Sequence, residues 1–212
     1  MPLSHKHKCL FIHIPKTGGT SIETALGIFG NWKIENLNTL FGLINSEKLN
    51  TFNYKSNFLQ HLTYTECQKT ITIPKDYTSF SFVRNPWDKL VSIYSNPDNN
   101  LIEYSKSKNI NLRELSFSKF IEIIHELNHI HLEHQHTFIY DQQNRRQVDF
   151  LGRFEVFHQD FNKLCKELGI KPDLPHTNKS NHKQYRDYYT HKTKIIVSQF
   201  YEQDIDLFNY TF

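Results

Sequence analysis

The chain has 212 residues, of which 14% are aromatic, and its 25 Lys and Arg residues outnumber its 22 Asp and Glu residues for a formal net charge of +3. This length fits a single domain, residues 1–212, with a sizeable core. The small basic excess argues against nucleic acid as a partner and favours a small anionic ligand or a glycan.

The cysteines and the hydropathy indicate the cellular setting. Cys9, Cys67 and Cys165 are odd in number and far apart, with no CxxC pair. They indicate a reducing compartment rather than a zinc or redox site. No apolar stretch approaches the ~20 residues needed to cross a bilayer, so the sequence predicts no transmembrane segment. We therefore expect a cytoplasmic protein.

The first predicted elements are a strand and a helix joined by a short turn. Residues 9–14 ("CLFIHI") form a continuous apolar and β-branched run, which is typical of a strand covered on both faces. Residues 20–30 are predicted to form a helix. Residues 31–57 are rich in Asn, Lys and Ser, and they predict a loop-rich excursion.

A second strand–turn–helix unit follows in residues 77–96, "YTSFSFVRNPWDKLVSIYSN". Asn85 is its predicted N-cap and Pro86 its first helical residue. Residues 98–115 are predicted to be irregular. Phe and Ile residues at helical spacing then predict an amphipathic helix over 116–129.

The last third of the chain repeats the alternation of strand and helix. Residues 148–157 ("VDFLGRFEVF") predict a buried strand with a short helix after it, and residues 192–208 place apolar side chains on one helical face. Strands that alternate with helices favour the α/β class. The expected architecture is a P-loop-like three-layer sandwich with a mainly parallel central sheet between helices.

The turn "HIPKTGGTSIE" after the first strand has the composition of an anion site. A glycine-rich turn between a buried strand and a helix directs backbone N–H groups at one point, where the helix dipole adds positive charge. The ATP-binding pattern GxxxxGK[ST] places its lysine after the glycines, whereas Lys16 precedes Gly18 and Gly19 here. This order argues against ATP held in the standard way.

The pair "HIPKTGGTSI" and "FVRNPWDKLVSIY" resembles the two nucleotide-binding motifs of sulfotransferases that use 3′-phosphoadenosine 5′-phosphosulfate (PAPS). The likeness is closest to the carbohydrate O-sulfotransferase group of heparan sulfate and chondroitin enzymes and short bacterial relatives. It continues in "HTNKSNHKQYRDYYT" and "QFYEQDIDLFNYTF", so it spans most of the chain. The resemblance implies a PAPS-dependent enzyme that sulfates a hydroxyl of a carbohydrate or glycan-precursor acceptor.

The resemblance also implies which residues bind the donor. The 5′-phosphosulfate would be held by Lys16, Thr17, Gly18, Gly19, Thr20 and Ser21. Arg84 and Ser92 would bind the 3′-phosphate, and Asn178 and Ser180 would add contacts from a late loop. Arginine suits this role because its planar fork binds phosphate through two N–H groups.

Two residues are the candidates for the chemistry. Lys16 can stabilise the leaving oxygen, and His61 in "LQHLTY" can accept the proton of the acceptor hydroxyl, since imidazole has an unperturbed pKa of ~6.5. The position of His61 between the two motifs is similar to that of the catalytic histidine of heparan sulfate 2-O-sulfotransferases. His13 is the second candidate base, and Glu23 and Glu155 could orient a base or a sugar. No metal is required by this mechanism.

Three alternatives remain open at this point. The first is an ATP-dependent enzyme of the kinase type. The second is a zinc metalloprotease, since "HELNH" at 125–129 fits HExxH, with His125 and His129 as ligands and Glu126 as base. The third is a glycan-binding protein that retains a degenerate nucleotide fold. The identity of the acceptor, the ring position and the oligomeric state are not readable from the sequence.

Overall fold

The structure contains a four-stranded sheet. The computed structural model describes residues 2–28, 33–44, 56–171 and 183–212. The strands lie in the order β1 (Leu3–Ser4), β2 (Cys9–Ile12), β3 (Thr78–Val83) and β4 (Phe150–Arg153). β1 is antiparallel to β2, whereas β2 with β3 and β3 with β4 are parallel. The α/β class is therefore confirmed with a mixed sheet, and the three-layer, P-loop-like arrangement stays a prediction.

Helices follow or separate the strands. In chain order they are α1 (Gly19–Ala25), α2 (Tyr64–Thr70), α3 (Pro86–Ser95), α4 (Asn99–Ser107), α5 (Phe117–Glu122), α6 (His136–Ile139), α7 (Phe157–Leu168), α8 (His191–Phe200) and α9 (Glu202–Phe208). Within the described ranges, no helix combines the length and the apolar character that crossing a bilayer requires.

Contacts along the chain define two compact units. The first unit comprises Met1–Val83 and Thr137–Thr177, and it contains the sheet. The second unit comprises Arg84–His136 and Asn178–Phe212, and it contains α3, α4, α5, α8 and α9. The single domain expected from the sequence stays a prediction.

In the first unit, α1 and α7 pack on one face of the sheet. Phe11 and Phe80 are paired across β2 and β3, and their rings stack with centroids 5.0 Å apart. The buried members of this cluster are Cys9, Phe11, Ile22, Leu26, Ile28, Phe80, Phe82, Phe161, Leu164 and Cys165. Burial of each large apolar side chain contributes about 1.5–3 kcal/mol. This cluster fixes α1 against the sheet and so holds the turn that joins β2 to α1.

In the second unit, the predicted start of α3 is confirmed. The Oδ1 atom of Asn85 accepts hydrogen bonds from the N–H groups of Trp87 (3.0 Å) and Asp88 (3.4 Å). Its Nδ2 atom donates to the Thr211 carbonyl at 2.9 Å. Pro86 is the first residue of the helix, where a missing N–H costs no hydrogen bond. Trp87 is 3% exposed and packs edge-on against Phe212, with ring centroids 5.6 Å apart, so it is a core residue.

Several predicted helix boundaries were wrong. Residues 98–115 are not irregular, because Asp98 accepts a hydrogen bond from the Asn100 N–H and caps α4. The helix predicted over 116–129 ends at Glu122, and residues 124–126 form a separate 3₁₀ turn. The C-terminal helical segment predicted over 192–208 is divided into α8 and α9 at Tyr201.

The break at Tyr201 is stabilised by burial. Tyr201 is 0% exposed, and its hydroxyl donates to the Leu132 carbonyl at 2.6 Å. Its ring also lies near the ammonium of Lys89, 5.6 Å from Nζ to the ring centroid. A fixed tyrosine with a satisfied hydroxyl therefore outweighs the helical periodicity of the segment.

Lys89 on α3 is fully buried as well. Its Nζ donates to the Glu133 carbonyl at 2.8 Å. Burial lowers the pKa of Lys89 to about 8, and the carboxylates of Asp204 and Glu133 act in the opposite direction. The folded chain therefore holds the Lys89 proton less tightly than the unfolded chain, in which a lysine has its ordinary pKa of 10.5.

This shift predicts an alkaline gain in stability. Between about pH 8 and 10.5 the unfolded chain binds more protons at this residue, so the stability contributed by Lys89 rises with pH across that window and is flat below it. We expect the free energy of unfolding of the wild type, minus that of Lys89→Met, to rise by about 2–3 kcal/mol from pH 8 to pH 10.5. Urea unfolding at both pH values measures it.

The Lys89→Met comparison also supplies its own control. The buried thiols of Cys9 and Cys67 have pKa values raised to about 12 by burial, and they destabilise the folded state as the pH rises. These groups are present in both proteins, so their effect cancels in the difference. A difference that stays constant with pH would contradict the account of Lys89.

Candidate active site

The turn between β2 and α1 has two residues in the left-handed region. Lys16 has φ 68° and Gly18 has φ 88°. Gly18 is the N-cap of α1, and it has no side chain to accept from the first N–H groups of that helix, whose first turn contains no acidic residue. The turn therefore leaves the start of α1 without a side-chain cap, which is compatible with the predicted role in anion binding.

Packing also requires the two glycines of this turn. A Cβ atom on Gly18 would lie 2.9 Å from Cε2 of Phe157, and its positive φ would strain any other residue. A Cβ atom on Gly19 would collide with the ring of His13. The backbone of the turn consequently approaches these two side chains more closely than any larger residue would permit.

His13 is a buried structural residue. Its exposure is 8%, and its ring stacks on Phe11 with centroids 5.3 Å apart. Its Nδ1 atom lies 2.7 Å from Oε1 of Glu23, which is also 8% exposed. Its Nε2 side packs on Gly19. The ring of His13 therefore supports the turn, and Glu23 orients that ring, while the role of His13 as the second candidate base stays a prediction.

The structure brings His61 to this same turn. His61 ends the 3₁₀ turn Leu59–His61, and its Nδ1 atom lies 3.0 Å from the backbone carbonyl oxygen of His13. The two imidazole rings lie edge to face with centroids 4.7 Å apart. A carbonyl can only accept, so Nδ1 of His61 carries a hydrogen and the lone pair of the neutral ring is on Nε2. This is the tautomer that a general base at Nε2 needs.

The remaining residues of the turn differ in what they can offer to a ligand. Thr17 is 0% exposed, and its hydroxyl donates to the Ile14 carbonyl at 2.8 Å, so this side chain holds the turn together from inside. Lys16 is half-buried, Thr20 is exposed and Ser21 is 7% exposed. Thr20 also accepts a hydrogen bond from Thr24 through its carbonyl, at 2.8 Å.

Arg84 and Ser92 belong to the second unit. Arg84 follows the last residue of β3, is 4% exposed, and donates from Nε to Oδ2 of Asp88 at 2.8 Å. Ser92 lies on α3, two helical turns after Pro86, and is 6% exposed. Asn178 and Ser180, the two predicted contacts of the late loop, lie outside the described residues.

The backbone of Arg84 is held by a residue that sequence reasoning missed. The side chain of Gln135 accepts from the Arg84 N–H at 2.8 Å and donates to the Arg84 carbonyl at 2.7 Å. The Gln135 N–H donates in turn to Oδ2 of Asp204 at 2.7 Å. A glutamine within the polar run "HIHLEHQH" carries no sequence signal for such a contact, since amides are common on protein surfaces.

The zinc-protease alternative is wrong. A HExxH site needs both histidines on one face of one helix, but His125 lies in the 3₁₀ turn Ile124–Glu126. His129 has an extended backbone, with φ −132° and ψ 142°, and its ring contacts Tyr104 and His131. Glu155, a carboxylate that could serve as a distant third ligand of such a site, is exposed in another 3₁₀ turn. The motif is therefore a chance match of letters.

A different cluster has metal-binding residue types. Among the described residues, His134, His136 and Asp204 form a group of three whose candidate ligand atoms lie within 4.8 Å of one another. However, Asp204 already accepts three hydrogen bonds within the protein, from the Gln135 N–H, the His136 N–H (2.9 Å) and the His136 Nδ1 (2.6 Å). The Asp204 carboxylate is therefore a buried hydrogen-bond acceptor for the backbone N–H groups of Gln135 and His136.

Comparisons with known proteins show which family the chain belongs to. A family model described as "Sulfotransferase family" matches residues 2–211. Carbohydrate sulfotransferase 10 of Xenopus laevis is 24% identical over 244 aligned positions, which cover 98% of this chain and 66% of that protein. Carbohydrate sulfotransferase 9 of Homo sapiens is 25% identical over 242 positions, which cover 97% of this chain and 52% of that protein.

A shorter relative extends the range of organisms. An uncharacterized protein of Archaeoglobus fulgidus is 31% identical over 110 residues, which cover 46% of this chain and 72% of that protein. No solved structure matches the chain significantly. The chain thus spans about two thirds of the length of carbohydrate sulfotransferase 10 and about half of the length of carbohydrate sulfotransferase 9. Because the family model covers almost every residue, the chain belongs to the sulfotransferase family.

Proposed function

We propose that the protein transfers a sulfuryl group from PAPS to a hydroxyl of a carbohydrate acceptor. Family membership supports sulfuryl transfer, and the names of two relatives support a carbohydrate acceptor. The observation that carries the proposal is the bond between His61 and the carbonyl of His13, three residues before Lys16. This hydrogen bond supports the proposal that the base His61 and the anion-binding turn act together in one site.

The turn after β2 binds the 5′-phosphosulfate in this proposal. The N–H groups of Gly18, Gly19 and Thr20 lie at the start of α1, and a bound anion would accept from them with the favourable field of the helix dipole. The Ser21 N–H already donates to the Gly18 carbonyl at 3.1 Å. Thr17 contributes by fixing the shape of the turn, because its hydroxyl is bonded to the Ile14 carbonyl. Lys16 supplies the full positive charge.

The second motif binds the 3′-phosphate in this proposal. Nε of Arg84 is engaged by Asp88, so a bidentate contact to phosphate would use the two terminal NH₂ groups of the guanidinium. Ser92 adds a hydroxyl donor. Further predictions accompany the proposal. They are donor contacts from Asn178 and Ser180, a P-loop-like sandwich, a single domain and a cytoplasmic location.

The chemistry is an in-line displacement at sulfur. The acceptor oxygen forms a bond to sulfur while the bond from sulfur to the bridging phosphate oxygen breaks, and adenosine 3′,5′-bisphosphate leaves. Nε2 of His61 takes the proton from the attacking hydroxyl, and the ammonium of Lys16 stabilises the charge that develops on the bridging oxygen. These residues supply the proton transfer and the charge stabilisation that the step needs.

A turnover assay tests the proposal. The full chain is incubated with PAPS and a panel of unsulfated oligosaccharides, and mass spectrometry follows both products. We expect adenosine 3′,5′-bisphosphate and an acceptor heavier by one sulfuryl group to appear in equal amounts. Nucleotide release without a sulfated sugar would refute the acceptor class, and transfer supported by ATP but not PAPS would establish the kinase-type alternative.

Replacement of Lys16 should separate chemistry from stability. We expect Lys16→Ala and Lys16→Gly each to lose 10²–10³-fold in turnover, since both remove the ammonium. The two variants should differ in stability, because φ 68° at position 16 costs alanine about 1 kcal/mol that glycine avoids. Steady-state kinetics and urea unfolding measure the two effects.

A matched control for Lys16 lies on α7, where Lys163 is paired with Asp160 and its side chain is 65% exposed. Lys163→Ala should keep wild-type turnover. Turnover within threefold of wild type in Lys16→Gly would show that this ammonium is not required for transfer.

Replacement of His61 should remove the base while keeping the turn. Asparagine can still donate a hydrogen bond to the His13 carbonyl but cannot accept a proton at neutral pH. We expect His61→Asn to lose 10²–10⁴-fold in turnover, with bisphosphate affinity within threefold of wild type. Calorimetry and single-turnover kinetics measure the two quantities.

His125, whose side chain is 63% exposed, offers the matched control for His61. His125→Asn should be unchanged in both measurements. Turnover in His61→Asn that equals the turnover of this control would assign the base to another residue.

A further inference from the structure

Both polar atoms of the Gln135 side-chain amide form hydrogen bonds with the backbone of Arg84. Its amide oxygen accepts the N–H of Arg84 at 2.8 Å, and its amide nitrogen donates to the carbonyl of Arg84 at 2.7 Å. Gln135 is 0% exposed and Arg84 is 4% exposed. Two buried hydrogen bonds to the N–H and the carbonyl of one residue fix the orientation of its Cα–Cβ bond. This pair of hydrogen bonds from Gln135, the clamp, therefore sets the direction in which the Arg84 side chain leaves the backbone.

Asp204 on α9 holds the residue that forms the clamp. Its Oδ2 accepts the Gln135 N–H at 2.7 Å, and its Oδ1 accepts from the N–H and Nδ1 of His136 at 2.9 and 2.6 Å. Asp204 is 0% exposed, so these hydrogen bonds lie away from water, where a hydrogen bond is stronger than at the surface. The chain around Gln135 is consequently anchored on both sides of its Cα atom.

The side chain of Arg84 is held at a second point. Its Nε donates to Oδ2 of Asp88 at 2.8 Å, and the Asp88 side chain is 17% exposed. A backbone clamp and a side-chain ion pair together restrict the rotation of a long, flexible arginine. Such preorganisation increases affinity because less conformational entropy is lost when a phosphate binds.

We propose that Gln135, anchored by Asp204, is a positioning residue for Arg84 and thereby determines how strongly the protein discriminates nucleotides that carry a 3′-phosphate. This inference rests on the proposed function, in which Arg84 binds that phosphate. Gln135 does not need to touch the nucleotide itself. Its effect is transmitted through the backbone of Arg84.

The test is the ratio of two dissociation constants. Calorimetric titration of the full chain gives the dissociation constants of 5′-AMP and of adenosine 3′,5′-bisphosphate. The constant for 5′-AMP divided by the constant for the bisphosphate isolates the contribution of the 3′-phosphate to affinity. Gln135→Met is close in size to the wild type but can make neither hydrogen bond to Arg84. We expect the ratio to fall at least tenfold in this variant, while the constant for 5′-AMP stays within twofold of wild type.

A double-variant comparison shows whether the effect passes through the arginine. In an Arg84→Ala background, Gln135→Met should change the ratio less than twofold, because the group that it positions is already gone. An equal fall with and without Arg84 would overturn the inference.

Tyr201→Phe is the matched structural control. It removes another fully buried hydrogen bond of the second unit, from the Tyr201 hydroxyl to the Leu132 carbonyl, and no hydrogen bond to Arg84. It should lower the melting temperature and preserve the ratio. The inference is wrong if Tyr201→Phe lowers the ratio as much as Gln135→Met, or if folded Gln135→Met keeps the wild-type ratio.

Asp204→Asn provides a second variant should Gln135→Met fail to fold. It keeps the shape of the side chain but weakens the anchor of Gln135, so the ratio should fall at least threefold, and an unchanged ratio would overturn the inference. A wild-type ratio near one would refute the proposed function and the inference with it. A high wild-type ratio retained in the variants refutes the inference alone.

Discussion

A buried backbone polar group must find a hydrogen-bond partner, and this constraint governs both predicted anion-binding segments. The carbonyl of His13, just after β2, is bonded by His61, which lies 48 residues later in the chain. The N–H and carbonyl of Arg84, just after β3, are bonded by Gln135, which lies 51 residues later. In each unit, a side chain from a distant segment thus completes the backbone where a parallel strand has ended.

The same contacts have chemical consequences in the first unit. The bond from His61 to a carbonyl fixes the imidazole tautomer, and it leaves the lone pair on Nε2. The carbonyl belongs to His13, whose ring is oriented by Glu23 and packs against Gly19. Gly19 of the predicted anion-binding turn, the buried ring of His13 and the candidate base His61 are therefore linked by direct contacts.

The sequence predicted the elements whose signals are local. The β-branched and aromatic runs predicted β2, β3 and β4, and the Asn85–Pro86 pair predicted the start of α3. The glycine-rich turn was found at the predicted place, between β2 and α1, and the positive φ angles of Lys16 and Gly18 are an addition of the structure. Helix ends were predicted less well, because tertiary contacts decide them. Tyr201 divides one periodic segment into α8 and α9 through a buried hydrogen bond.

The candidate site was predictable only where a motif identified it. His61 was found through family resemblance, and the structure adds its bond to His13. Gln135 and Asp204 were not found, since their roles depend on contacts between residues 69 positions apart. The zinc motif was wrong because the letters HExxH do not specify a helix, and the chain leaves helical geometry after Glu122.

The central claim is that the two motifs recognise an adenine nucleotide by its 3′-phosphate. Calorimetric titration of the wild-type chain with adenosine 3′,5′-bisphosphate, 5′-AMP and ATP tests it most directly. The account predicts that the bisphosphate binds at least 100-fold more tightly than either of the others, and that Arg84→Ala abolishes this preference. Binding that is indifferent to the 3′-phosphate, or tighter for ATP, would contradict it.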